Sequence, residues 1–143
     1  MSVEPKSLKE IIFLDKGKPP ANQPYYGDDA EIYLTPEYLR GRALAEPIKP
    51  AANSVRVAQG ETIILWDGSN AGEIFRSRAG HLSSTMSRVR HGDEYLPSYF
   101  YYSLKAWESH LKGQTSGSGI PHVDKEVLGN LSIFHCEIPE QAK

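Results

Sequence analysis

The sequence predicts an α+β fold: a single compact domain on a mostly antiparallel twisted sheet, with one main helix and short helices. Three observations carry that prediction. Short β-forming runs fill the first two thirds of the 143 residues. Phe100, Leu104, Trp107 and Leu111 then recur at steps of four, three and four, one face of a helix. A Gly/Ser-rich loop, a short helix and a last strand close the chain.

Taken in order, GKPPANQPYYGDD (17–29) holds three prolines and two glycines and reads as an ordered loop, with Tyr25 and Tyr26 to anchor it. EIYL (31–34) alternates as a short strand and runs into Thr35-Pro36, a cap and first position for a brief helix EYLR. SVRV and ETIILW form two strands joined by the turn AQG, and EIFRSR and LSSTMSRVR form another pair across Ala79-Gly80. Leu96-Pro97-Ser98 opens the main helix and Gly113 stops it. After GQTSGSGIP, Asp124 caps KEVL, and Gly129-Asn130 turns the chain into the strand LSIFHC.

Composition is that of an ordinary globular domain, 39% hydrophobic and 24% charged. No apolar run reaches the length of a membrane span, and MSVEPKSLKE lacks the apolar core of a signal peptide. The single cysteine, Cys136, rules out an internal disulfide and points to a cytoplasmic setting. A net charge of −2 argues against a protein that coats nucleic acid indiscriminately. Its distribution says more. Ile74 to Gly92 contains no acid but carries Arg76, Arg78, Arg88 and Arg90, and Ser109 to Val123 is acid-free as well. A near-neutral chain can therefore present a basic face, or simply an Arg-rich solvated one.

Catalytic motifs are missing. Neither Ser69 nor Ser118 has the flanking glycines of a hydrolase elbow, and GQTSGSG lacks the lysine of a P-loop. The five histidines show no metal-ligand spacing, and one cysteine cannot build a thiolate site. No dinucleotide or S-adenosylmethionine motif is present, so no cofactor is expected. In WDGSNAG (66–72), an acid and a hydroxyl beside two glycines leave three readings: a nucleophile site, a phosphate cradle or a tight turn.

Four segments in this order resemble one family: GKPPANQPYYGDDAEIYLTPEYL; ETIILWDGSNAGEIF followed by LSSTMSRVR; YLPSYFYYSLKAWESHLKGQTSGSGIPHVDKEVLGNLSI; and the terminal IPEQAK. The pattern is similar to a target recognition domain of the specificity (S) subunit of a type I restriction–modification enzyme. The resemblance implies a non-catalytic module that reads one half of a bipartite site in double-stranded DNA. Its partners would be methyltransferase (M) subunits, which hold S-adenosylmethionine, and indirectly the restriction (R) subunit. It assigns residues 1–138 to the recognition domain and 139–143 to the start of a truncated spacer helix. It also makes WDGSNAG a structural turn, with Gly68 and Gly72 reversing the chain and Asp67 and Asn70 bonding the turn's own backbone.

Base edges are read by Arg, Asn and Gln, while phosphates fix position. Loops on a rigid scaffold supply such side chains. The candidates are Lys18, Asn22, Gln23, Tyr25 and Tyr26 in the first loop; Arg40 and Arg42 after the short helix; Arg76 and Arg78 in a basic hairpin; and Lys112, Gln114, Thr115, Ser116 and Ser118 around GQTSGSG. Aromatics of this kind more often pack than read bases, so Tyr25 and Tyr26 read first as residues that anchor the loop, and His122 and Asp124 as loop and cap residues. Two alternatives stay open. One is an orphan or decoy domain that binds the methyltransferase without reading DNA. The other is a small enzyme with carboxylates converging in a pocket.

Overall fold

The computed structural model describes residues 4–142; residues 1–3 and Lys143, the last position of the expected spacer helix, lie outside the described residues. The fold is α+β, with ten strands among the described residues. They are β1 (Glu4–Ser7), β2 (Ile12–Lys16), β3 (Glu31–Leu34), β4 (Glu46–Ile48), β5 (Arg56–Val57), β6 (Thr62–Leu65), β7 (Ile74–Arg76), β8 (Gly80–Leu82), β9 (Met86–His91) and β10 (Ser132–His135). Five α-helices accompany them among the described residues, α1 (Pro36–Leu39), α2 (Pro97–Lys105), α3 (Glu108–Gly113), α4 (Lys125–Asn130) and α5 (Ile138–Gln141), with one 3-10 turn at Leu8–Glu10.

The strands divide into three sheets, ordered β1-β10, β2-β9-β6-β7 and β4-β3-β8-β5. All pairings are antiparallel except β3 with β8. At the centre lies β6, whose four residues are all buried. Alternation sends Ile64 to one face and Ile63 and Leu65 to the other. Ile64 joins Leu8, Ile74, Val89, Phe100, Leu104, Leu111, Leu128 and Ile133, the core under the helices. Ile63 and Leu65 join Leu34, Val57, Phe75, Leu82 and Met86, the core between the two larger sheets. An unbroken apolar strand is what a sheet buried on both faces requires.

This layering corrects two expectations. SVRV and ETIILW are not neighbours in a sheet, because β5 pairs with β8 while β6 pairs with β7 and β9. Val57 and Ile63 belong to one core but to different sheets, so they meet face to face across it. EIFRSR and LSSTMSRVR are not a pair either: β7 and β9 flank β6 on opposite sides, and β8 leaves for the other sheet. Arg76 and Arg78 therefore do not sit in a hairpin of their own.

Local signals held where they rest on caps. The Thr35 side chain accepts from the Tyr38 amide at 3.2 Å, and Pro36 opens α1. Asp124 Oδ1 accepts from the Glu126 and Val127 amides at 3.0 and 3.1 Å and starts α4. The main helix differs from expectation, breaking at Ala106–Trp107 into α2 and α3. The break lets the Trp107 indole donate to the Ser132 carbonyl at 2.9 Å. It also turns Lys105 and Glu108 onto the outer edge of β7. There Lys105 donates to the Ile74 carbonyl at 2.9 Å, and Glu108 accepts from the Ile74 amide at 2.7 Å. A side-chain pair thus satisfies the outer edge of β7, which no strand covers among the described residues.

The chain ends return to this scaffold. In α5, Gln141 is buried and its amide makes three bonds. It accepts from the Leu96 amide at 2.7 Å and donates to the Glu94 and Cys136 carbonyls at 2.6 and 2.8 Å.

Candidate nucleic-acid interface

The turn WDGSNAG joins β6 to β7 as an antiparallel hairpin closed by Leu65 N to Glu73 O and Gly72 N to Leu65 O, both 2.8 Å. Gly68 and Gly72 take φ values of +116° and +104°, where a side chain is strained. A Cβ on Gly72 would also lie 2.9 Å from the Lys112 nitrogen, so only glycine lets α3 come this close. The Gly68 amide donates to Pro121 O at 2.8 Å and the Val123 amide to Trp66 O at 2.9 Å, which fixes the loop before α4 against the turn. The expected Asp67 bond to its own turn is corrected: its carboxylate takes the Lys16 ammonium at 2.5 Å. Asn70 closes the turn through its backbone, accepting from Glu73 N at 3.1 Å.

Held this way, the turn forms one wall of a cleft of about 630 Å³. Arg40 and Arg42 enter it from α1 and the loop beyond, Arg76 from β7, Lys105 from α2 and Lys112 from α3, with Glu73 the acid among its lining residues. Glu73 is consumed by Arg40, whose Nε lies 3.2 and 3.1 Å from its two oxygens, with Nη2 closer still. The guanidinium holds the Glu73 carboxyl below the ordinary glutamate range, and the carboxylate raises Arg40 in return. Lys105 is spent on Ile74 and on Glu108 at 2.7 Å. Among the described residues, Arg42, Arg76 and Lys112 form no ion pair, although Lys112 is near enough to Glu73 to help hold its carboxyl low. Arg76 lies over the Tyr101 ring at 5.9 Å.

Four candidates, Arg40, Arg42, Arg76 and Lys112, thus converge from segments far apart in the chain. Arg78 stays exposed beside them, 5.3 Å over the Tyr38 ring of α1. β7 ends at Arg76, so Arg78 lies beyond the strand, and the two exposed arginines bracket the buried Ser77. Lys18, Asn22, Gln23, Tyr25 and Tyr26 do not line the cleft. Their loop runs along β4, with Ala21 N and Tyr25 N donating to Lys49 O and Pro47 O at 2.8 and 3.0 Å. Tyr25 is half-buried under Lys49 at 5.6 Å and donates to Asp29 at 2.5 Å. Tyr26 packs against little: it is 79% exposed.

In the second loop Gln114, Thr115 and Ser118 are exposed. Ser116 is not available in the same way. Its backbone bonds His122 in both directions at 2.9 Å, and its hydroxyl donates to Asp124 Oδ2 at 2.5 Å. That hydroxyl and the α4 amides hold the Asp124 carboxyl below its usual range. Sequence reasoning missed Tyr101, Lys105, Asn70 and Glu73. The helical stripe marked only the packing face, and the turn's polar residues carried no sign of what they would face.

A scan against protein-family models finds no match. The chain is 42% identical, over 140 residues and 94% of its length, to the type I restriction enzyme MjaVIII specificity subunit of Methanocaldococcus jannaschii. It spans about one third (32%) of that relative. The fold matches a type I restriction–modification S subunit from M. genitalium, with a TM-score of 0.71 at 13% identity, over 98% of this chain and 36% of that one. It also matches the HsdS subunit of Thermoanaerobacter tengcongensis, with a TM-score of 0.68 at 17% identity, over 98% and 34%.

Proposed function

We propose, for a chain homologous over nearly its whole length to one third of a type I restriction specificity subunit, a role as a non-catalytic DNA-reading module. It reads one half of a bipartite site in double-stranded DNA for methyltransferase subunits and, through them, a restriction subunit. The observation that carries the reading is the cleft. Three cations outside any ion pair, Arg42, Arg76 and Lys112, meet there around an acid already engaged by Arg40. Such a cluster suits successive phosphates, each of which releases counterions when it is neutralised. The short helix and turn beside it are rigid supports for side chains that reach base edges.

Fluorescence titration of the chain on duplex DNA across a salt series tests this. Each phosphate contact contributes about −0.9 to the slope of log affinity against log salt. The triple variant Arg42→Ala/Arg76→Ala/Lys112→Ala should flatten that slope by about 3 on the same basis. A triple variant with the parental slope would remove the cleft from the DNA face. Co-purification with methyltransferase without any sequence-selective footprint would favour the decoy role instead.

A further inference from the structure

Arg76 stands between two clefts. Beyond it lies a second one of about 610 Å³, lined by Phe13, Gln59, Glu61, Arg76, Arg90 and His91 among others. Its charge differs from that of the first. Arg90 is bound to Asp15 at 2.5 and 3.2 Å while its guanidinium lies 5.4 Å over the Phe13 ring, and Glu61 adds an acid. With Arg90 neutralised and a carboxylate in the wall, this cleft is poorly suited to a phosphate. A polar, uncharged edge suits it better.

Gln59 is presented to that cleft by a rigid turn between β5 and β6. The Ala58 amide donates to the Glu61 carboxylate at 2.6 Å, the Gly60 amide to Ser77 O at 2.8 Å and the Ser77 amide to Glu61 O at 2.8 Å. Gly60 takes φ +93° with open space around it, so its conformation is what the turn needs. These bonds brace the turn on both sides of Gln59, whose side chain is exposed and has no hydrogen-bond partner among the described residues. A planar amide held on a braced turn, beside an unpaired arginine that also faces the phosphate cleft, matches what reading a base edge demands.

We infer that Gln59 is a base-reading residue, its amide pairing with the N6 and N7 edge of one adenine in the half-site. The inference rests on the DNA-reading function proposed above. Its test is selection of the full chain on a randomised duplex pool at low salt, followed by sequencing, for the parental protein, Gln59→Ala and Gln59→Arg. The parental chain should enrich a motif. Gln59→Ala should lose one adenine from it, with affinity for the parental motif down on the order of tenfold. The salt slope and the melting temperature should stay as they were. Gln59→Arg should move that position toward guanine, the base a guanidinium pairs with twice. Identical motifs from the parental chain and both variants, with salt-dependent binding retained, would overturn the role of Gln59 alone. A parental chain that binds without salt dependence and enriches nothing would overturn the DNA-reading function with it.

Discussion

Glu73 faces Arg40 along its whole guanidinium edge, with both carboxylate oxygens engaged and both side chains about one-fifth exposed. The pair ties the end of α1 to the start of β7, and it removes one cation and one anion from the cleft. Glu73→Gln should therefore do two things. It should cost about 1.5–3 kcal/mol of stability, the range for a hydrogen bond to a charged group, read by urea unfolding. It should also free Arg40 and steepen the salt dependence of DNA binding. A variant that binds DNA with an unchanged slope would leave Arg40 outside the interface.

The same pair sets a pH dependence whose sign is fixed. Arg40 depresses the Glu73 carboxyl below its ordinary value. The stability it contributes is thus fully present above that ordinary value and is lost as pH falls through the depressed one. Thermal melts of the parental chain should fall across that acid window, and Glu73→Gln should fall less steeply there.

How much of this was legible depended on the range of the interaction involved. Thr35 and Asp124 could be read as caps because the amides they bind lie within three residues. The run Thr62–Leu65 showed a buried strand, yet nothing in it names β7 and β9 as neighbours. Pairing of Glu4–Ser7 with Ser132–His135 was invisible, since EPKS has no apolar alternation and its partner lies at the other end of the chain. The acid-free run pointed to Arg76 on charge alone, but its meeting with Arg42 and Lys112 is a product of tertiary packing. Ser116 looked like a free loop hydroxyl until its partner, eight residues on, was placed beside it.

That partner gives the next expected outcome. The Asp124 carboxyl is held low first by the Ser116 hydroxyl and then by the α4 amides. Ser116→Ala removes the largest cause and leaves the amides. The Asp124 carboxyl should then titrate at a higher pH than in the parental chain, seen by NMR of its side-chain carbon. An unchanged titration would mean that the hydroxyl does not bond the carboxylate in solution.

Two glycines in one turn separate backbone strain from crowding. Gly68 and Gly72 both have positive φ, but a Cβ on Gly68 meets nothing within 4 Å, whereas one on Gly72 runs into the Lys112 nitrogen. Gly68→Ala should cost about 1–2 kcal/mol, the ordinary penalty of a left-handed side chain. Gly72→Ala carries that penalty and must also push α3 away. It should unfold at clearly lower urea and, because Lys112 moves with α3, should weaken DNA binding as well. Equal midpoints for the two variants would mean that α3 does not rest on the turn, and the cleft would then lose the contact that sets its width.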